Sequence, residues 1–323
     1  MPKRFPKPRI VVSRCLEFAA CRYDGSKIPS EVVRSLMPYV EFTPVCAEME
    51  IGLGVPRDPI RIVRTESGLV LVQPSTGKDV TAKMRKFADA FLGSAGDADG
   101  FILKYRSPSC GLKEVKIFDA AGSKTLVGKG AGFFGGAAVE RFPHLPVEDE
   151  GRLMNFRIRE HFLTRIFALA TFHDVERAAS MRDLVGFQAR NKLLLMAYNQ
   201  KEMRHLGRIV ANPEKKPVPQ VIADYREHLR AALAAAPRYT SCINVLMHAL
   251  GYFSEGLSKQ EKAYFLDSLE EYRAERVPLS VPVGIIKSYV VRFGEAYLAQ
   301  QSFFEPYPAR LVEITDSGKG RDL

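Results

Sequence analysis

Short apolar runs alternate with amphipathic stretches in the first part of the chain. Residues 9–13, 41–45 and 100–105 are rich in β-branched and aromatic side chains and have the length of buried strands. Ser30 can cap a helix between the first two runs, and an apolar stripe over 82–92 indicates a second helix before the third. This alternation predicts a doubly wound, mostly parallel sheet with helices between its strands.

The hydrophobic pattern changes before the middle of the chain. Two prolines in 142–146 mark the change, and the sequence beyond has long helical periods. Within it, the proline- and lysine-rich segment 212–218 indicates an exposed loop. We therefore predict an α/β domain over residues 1–145 and an all-α domain over residues 146–323. The predicted helices of the second domain cover 155–170, 175–189, 192–196, 219–235, 241–252, 258–275 and 282–293.

Composition places the chain among folded globular proteins. Hydrophobic residues make up 46% of its 323 residues, but no apolar stretch approaches the length of a membrane span. The basic, proline-rich start lacks the apolar core of a signal peptide. Five cysteines cannot form the disulfide framework of a chain this long, so free thiols or metal ligands in a reducing compartment are expected. We expect a cytoplasmic protein that does not bind a membrane.

Positive charge is in excess along the whole chain. The net charge is +10 at pH 7, and cations outnumber acids in both predicted domains. A basic surface crossing both domains suits folded RNA, although many basic proteins bind no nucleic acid. His173, Arg190 and Lys192 lie in a helical region rich in cations, which is either a solvated face or a contact for RNA phosphates.

Three cysteines each follow a predicted strand. Cys15, Cys46 and Cys110 would converge at the carboxyl edge of a parallel sheet, where such sheets bind ligands. Three soft thiolates at that edge indicate a metal or an iron–sulfur cluster, and a cluster with three protein ligands leaves one iron open. The alternative for each is a buried apolar thiol. Cys21 is a competing ligand, whereas Cys242 lies in a helical pattern and is expected in a core.

Polar side chains accompany two of these cysteines. Glu48 lies two residues after Cys46, where a carboxylate could move a proton or orient water, and its alternative is a solvent-facing acid. Ser107 and Ser109 precede Cys110, and their hydroxyls either satisfy the backbone of a turn or donate to a polar substrate atom.

A glycine run matches the dinucleotide-binding fingerprint by spacing alone. Gly130, Gly132 and Gly135 reproduce the G-x-G-x-x-G pattern, but no strand carrying an acid follows about 20 residues later. We interpret the run as tight turns at the edge of the first domain.

Four motifs in order over residues 9–140 resemble the thiouracil desulfidase family. They are Ser13-x-Cys15-Leu16 with Cys21-Arg22-Tyr23-Asp24-Gly25, Pro44-Val45-Cys46-Ala47-Glu48 with Gly52-Leu53 and Pro56-Arg57, Lys78-Asp79-Val80-Thr81, and Ser107-Pro108-Ser109-Cys110-Gly111. The carboxyl part is similar to the helical domain fused to such modules in the tRNA 4-thiouridine desulfidases. It carries Arg190-Asn191-Lys192, Leu206-Gly207-Arg208, Asn244-Val245-Leu246-x-His248 and Gln300-Gln301 with Pro306-Tyr307-Pro308.

The resemblance implies a catalytic [4Fe-4S] cluster bound by Cys15, Cys46 and Cys110, whose fourth iron takes the thiocarbonyl sulfur of the substrate. Glu48 and Ser107 match positions implicated in catalysis in that family. One departure concerns the glutamate: the family often has proline between this cysteine and glutamate, and Ala47 stands here.

The expected activity is removal of sulfur from 4-thiouridine in tRNA, giving uridine and sulfide, with the helical domain binding the RNA. Two alternatives remain open. The first is the same chemistry on free thiouracil-type bases, and the second is a non-catalytic RNA-binding or iron–sulfur sensor protein.

Overall fold

The computed structural model describes residues 4–119 and 124–312. Within them the strands are β1 (Arg9–Ser13), β2 (Glu41–Val45), β3 (Arg61–Thr65), β4 (Gly68–Gln73), β5 (Lys78–Asp79), β6 (Gly100–Leu103), β7 (Val115–Phe118), β8 (Leu126–Gly130) and β9 (Val147–Asp149). The helices are α1 (Glu31–Leu36), α2 (Ala47–Glu50), α3 (Thr81–Ser94), α4 (Phe133–Arg141), α5 (Phe156–Ala178), α6 (Met181–Tyr198), α7 (Gln200–Ala211), α8 (Val218–Ala232), α9 (Tyr239–Gly251), α10 (Lys259–Arg273), α11 (Ser280–Phe293) and α12 (Ala296–Ala299).

A four-stranded, fully parallel sheet contains the three predicted strands. Its order is β2-β1-β6-β9, and β1 pairs with β2 from Arg9 opposite Glu41 to Ser13 opposite Val45. All four residues of β6 are buried, as expected for a parallel strand covered on both faces. A parallel sheet region followed by helices confirms the predicted fold class.

A second sheet was not predicted. It has five strands in the order β5-β4-β3-β7-β8, in which only β3 and β7 are parallel neighbours. The hairpin of β3 and β4 closes where Thr65 pairs with Gly68, whose φ of 121° suits glycine. Side chains of this sheet, including Ile62 and Ile117, share one apolar core with Val11 and Phe101 of the parallel sheet.

The chain divides into two compact units inside α5. One comprises the described residues of Met1–Ala170 and Pro308–Leu323, and the other is Thr171–Tyr307. The sequence predicts the boundary at residues 145 and 146 instead. Two contacts explain the later division: β9 pairs with β6, and Leu169 packs into the apolar core of the first unit.

The carboxyl-terminal part is helical, and its first two helices, α5 and α6, are longer than any helix predicted within their ranges. The predicted breaks at 171–174 and 190–191 are absent because α5 and α6 run through them. Helix α7 was not predicted at all. Asn199 caps its start by accepting a hydrogen bond from the Glu202 amide at 3.1 Å, and Asn212 ends it in the left-handed conformation. No helix in the described ranges is both long and apolar enough to cross a membrane.

A side chain from the end of the second unit forms hydrogen bonds with the backbone of α6. The buried Gln301 accepts a hydrogen bond from the Leu193 amide at 3.1 Å and donates to the Ala189 carbonyl at 2.8 Å. These two backbone groups are the partners that would normally bond each other across one helical turn. Gln301 therefore fixes the end of the second unit to the middle of α6.

Helix α4 supports the loop that leads to Cys110. The backbone amide of Gly132 donates to the Gly111 carbonyl at 2.7 Å, and the amides of Phe134 and Gly135 both donate to the Ser109 carbonyl at 2.9 Å. The helix start, whose amides have no partner within the helix, is thus satisfied by the loop. The interpretation of the glycine run as mere edge turns was therefore incomplete.

Glycines make this close approach possible. A Cβ atom on Gly135 would lie 2.3 Å from the Cys110 carbonyl oxygen, and one on Gly132 would lie 2.6 Å from that of Ser109. No side chain fits at either distance without moving backbone.

We expect Gly135→Ala to destabilise the first unit by about 1 to 3 kcal/mol, because the new methyl group overlaps the Cys110 carbonyl. It should also increase the reaction rate of the Cys110 thiol with a thiol reagent. Chemical denaturation and thiol titration measure the two effects. Gly284→Ala is the control, since a Cβ there meets no atom within 4 Å in the helix α11. Equal behaviour of the two variants would contradict the proposed support.

Candidate active site

The three strand ends bring Cys15, Cys46 and Cys110 to one edge of the parallel sheet. Cys15 follows β1 by two residues, and Cys46 directly follows β2. Cys110 comes seven residues after β6, at the end of a loop. Because β1 lies between β2 and β6 and all three run in the same direction, their carboxyl ends are neighbours.

The thiols at this edge affect one another's ionisation. Burial raises the pKa of the Cys15 thiol well above its usual range, and the nearby Cys110, Cys21 and Cys46 raise it further. Burial likewise raises the pKa of Cys110 to about 12, with Cys46 contributing, while a hydrogen bond with Ser13 opposes the shift. Cys15 therefore interacts electrostatically with each of the other three thiols.

Cys21 is the fourth of these thiols. It is buried, and burial is the main cause of its raised pKa, with a charge interaction and a hydrogen bond involving Cys46 adding to it. The Cys46 Sγ also donates to the Cys21 carbonyl at 3.8 Å. In contrast, Cys242 is buried in an apolar cluster of the second unit.

Ser13 joins the ends of two strands beneath the thiols. Its side chain is buried and its hydroxyl oxygen accepts a hydrogen bond from the Lys104 amide at 2.9 Å. Ser13 is the last residue of β1 and Lys104 directly follows β6, so this contact extends the strand pairing to the start of the Cys110 loop.

The Cys110 loop is a turn organised by Ser107. The Ser107 hydroxyl oxygen accepts hydrogen bonds from the Cys110 amide at 3.1 Å and the Ser109 amide at 3.3 Å. The Gly111 amide donates to the Ser107 carbonyl at 2.8 Å. Ser107 is partly exposed and Ser109 is fully buried. Ser107 therefore satisfies backbone groups of the turn, as the first alternative for these serines states. It also keeps some solvent access, which the second alternative, donation to a substrate atom, requires.

Glu48 lies on α2, which begins directly after Cys46. Its carboxylate is buried, which excludes the solvent-facing alternative. The Ser109 hydroxyl donates to Oε1 at 2.6 Å, and Arg57 donates to Oε2 from Nε at 2.8 Å and from Nη2 at 2.7 Å. Both carboxylate oxygens are therefore fixed by charged or hydroxyl donors.

Arg57 is the functional residue whose position the sequence did not reveal. Its side chain is only 4% exposed, and it holds Glu48 while donating from Nη1 to the Gly54 carbonyl at 2.8 Å and the Cys21 carbonyl at 3.1 Å. One guanidinium thus connects the carboxylate with the backbone of the fourth cysteine. Its presence in the Pro56-Arg57 pair of the family resemblance was the available signal.

Three side chains form a continuous hydrogen-bonded chain at the site. Ser109 has one hydroxyl hydrogen, and the carboxylate of Glu48 can only accept it when ionised. In the 2.9 Å contact between the two serine hydroxyls, Ser107 is then the donor. The chain runs from the partly exposed Ser107 through Ser109 to the buried Glu48.

The donor set determines which group this edge can bind. Among the residues that the structure describes, no cluster of three or more His, Cys, Asp or Glu side chains is arranged to hold a metal ion. The four interacting thiols nevertheless offer soft sulfur ligands, and the described cysteines form no disulfide. Thiolate sulfur is a soft ligand, so the donor chemistry of this edge suits an iron–sulfur cluster better than a hard cation.

Two families match the chain. Residues 10–150 match the 2-thiouracil desulfurase family, and residues 192–308 match a family described as protein of unknown function (DUF1722). The first match contains every residue of the site described above, and the second lies in the helical part.

Two individual relatives are each similar to a portion of the chain. The uncharacterized protein YbgA of Escherichia coli (strain K12) is 30% identical over 164 residues, which are 50% of this chain and 96% of the relative. The uncharacterized protein YbbK of Bacillus subtilis (strain 168) is 35% identical over 109 residues, 32% of this chain and 72% of the relative.

A solved structure, the [4Fe-4S]-dependent thiouracil desulfidase TudS, is 30% identical and covers 46% of this chain and 93% of its own, with a TM-score of 0.37. From the family match and these relatives, the chain belongs to the 2-thiouracil desulfurase family through residues 10–150 and carries a DUF1722 domain in residues 192–308.

Proposed function

We propose that the protein is an iron–sulfur-dependent desulfidase that replaces the sulfur of a thiouracil-type base with oxygen. The observation that carries the proposal is the shared sheet edge, where the interacting thiols of Cys15, Cys46 and Cys110 lie beside the chain of Ser107, Ser109 and Glu48. Membership in the 2-thiouracil desulfurase family supports the substrate class.

Cys15, Cys46 and Cys110 would hold a [4Fe-4S] cluster, which when bound supplies a thiophilic Lewis acid for the sulfur of the C=S bond. Water adds to the carbon that carries the sulfur, and sulfide leaves. Since C=S and water give C=O and hydrogen sulfide, the reaction needs no oxidant or reductant.

The protein's part in this reaction is to move a proton. Adding water to carbon releases a proton, and Glu48 is the acceptor that the hydrogen-bonded chain reaches. Arg57 holds the Oε2 atom of Glu48, so Oε1 is the oxygen directed toward Ser109 and Ser107. Ser107, the partly exposed end of the chain, would receive the proton first, and its hydroxyl oxygen would give up the longer of its two amide hydrogen bonds, 3.3 Å from the Ser109 amide, to do so.

We further propose that the substrate base belongs to 4-thiouridine in tRNA. The net charge of +10 and the helical domain attached to the desulfurase-family domain support an RNA substrate. A base within folded RNA must leave its stack before the sheet edge can take it, and phosphate contacts would offset that cost.

Replacing Cys46 tests the ligand assignment. Cys46→Ala should lose both iron and desulfidase activity, because it removes one of three thiolates at the strand ends. Cys242→Ala should keep both, since that thiol is buried in an apolar cluster of the helical unit. Iron and acid-labile sulfide analysis after anaerobic purification measures the loss. If both variants retained the same iron, the ligand set would be wrong.

Glu48→Gln should retain the cluster and turn over about 10² to 10⁴ times more slowly, because the amide cannot accept a proton. Steady-state sulfide release measures the rate, and the cluster absorbance shows that the site is intact. Ser109→Ala should also slow turnover, since it interrupts the path from Ser107 to Glu48. Rates within a few-fold of the parent protein for both variants would assign proton transfer to other groups.

Salt dependence separates the two substrates. Sulfide release from thiolated tRNA at subsaturating concentration should fall steeply with salt, with a log–log slope of roughly 0.7 to 0.9 for each neutralised phosphate. Release from free thiouracil should hardly change. Equal efficiency and equal salt response on both would favour the free base as substrate. If neither substrate released sulfide, the result would favour a non-catalytic iron–sulfur protein.

A further inference from the structure

Helix α7 presents a row of exposed cations that the desulfidase site does not use. Lys201, Arg204 and Arg208 are all exposed, and at about 100° per residue they fall within roughly 60° of one another around the helix axis. We name these three residues the α7 cationic face. They span about 10 Å along the axis at a rise of 1.5 Å per residue.

The α7 cationic face lacks the acids that neutralise other exposed cations of the same unit. None of its three side chains forms an ion pair or a hydrogen bond to any described residue. The single acid of α7, Glu202, is engaged with His228 at 2.7 Å. Since none of the three cations is neutralised by an ion pair with a described residue, the face carries a local excess of positive charge.

Three exposed arginines elsewhere in the unit are paired with acids. Arg177 lies against Asp174, Arg273 against Glu270 at 3.1 Å and Arg276 against Glu271 at 2.7 Å, and all three arginines are exposed. An acid within five residues along the chain neutralises each of these three arginines. No such ion pair with a described residue forms at the three positions of the α7 cationic face.

Neighbouring α6 extends this unpaired charge. Its exposed Arg182, Arg190 and Lys192 also have no acidic partner within the ranges the structure describes, and α6 packs against α7. Six exposed cations without an acidic partner among the described residues thus lie on two consecutive helices of the DUF1722 part and its amino-terminal flank.

We infer that the α7 cationic face binds the phosphate backbone of RNA; this inference rests on the proposed RNA substrate and identifies where the protein holds it. A row of cations with no acid between them matches a row of phosphates. A membrane-surface helix would need an apolar face free to enter lipid. The apolar side of α7 is instead packed, with Leu206 buried and α6 and α8 as neighbours.

The test compares two full-length triple variants with the same change in charge. The first is K201Q/R204Q/R208Q, and the control, from the paired set, is R177Q/R273Q/R276Q. Binding of a tRNA transcript is measured at several salt concentrations. We expect the slope of log affinity against log salt to become shallower by roughly two to three in the first variant, as three phosphate contacts are lost. The control should change by less than about one.

Turnover of free thiouracil is measured on the same preparations and should equal that of the parent protein in both variants, which shows that the sheet edge is intact. Equal salt slopes for the two variants, with steep binding by the parent, would overturn the assignment to α7 and leave the RNA substrate in place. If the parent protein showed no salt-dependent tRNA binding but still turned over the free base, the proposal that RNA is the substrate would be wrong. Binding to phosphatidylserine vesicles that the first variant alone loses would assign the face to a membrane.

Discussion

The parallel pairing of β1 with β2 on one side and β6 on the other determines the site. Three chain segments that are far apart in sequence must end at one edge once these strands pair in this direction. Ser13 continues the pairing through the Lys104 amide, and the amides of α4 then fix the Cys110 loop. The positions of the thiols therefore follow from backbone hydrogen bonds and not from contacts among the thiols.

Burial makes negative charge costly at this edge, both on the thiols and on Glu48. It disfavours thiolates, and the raised pKa values of Cys15 and Cys110 express that cost, so iron must replace protons when a cluster binds. Burial also disfavours an unpaired carboxylate, and Arg57 supplies the compensating charge for Glu48. Removing that guanidinium would leave a buried acid beside the sulfurs. Arg57 is thus as much a condition of the proposed chemistry as Glu48.

Local patterns predicted the parts of the fold that depend on local interactions. The strands at 9–13 and 41–45 appear with the predicted bounds. Four of the five residues of β1 are buried, as expected for an apolar run in a parallel sheet. The second sheet, the role of Arg57 and the insertion of Gln301 into α6 depend on contacts between distant residues. The sequence pattern also did not reveal the role of the glycine run. Gly135 allows helix α4 to approach the Cys110 carbonyl closely.

Oxygen tracing tests the central claim, a hydrolytic exchange of sulfur for oxygen at the thiol edge, most directly. The anaerobically purified protein, with its iron and acid-labile sulfide content determined, is given a thiolated substrate in water enriched in ¹⁸O. We expect one ¹⁸O in the new carbonyl of each product base and one sulfide released for each. A product carbonyl without ¹⁸O, or sulfide release by preparations that contain no iron, would contradict the account.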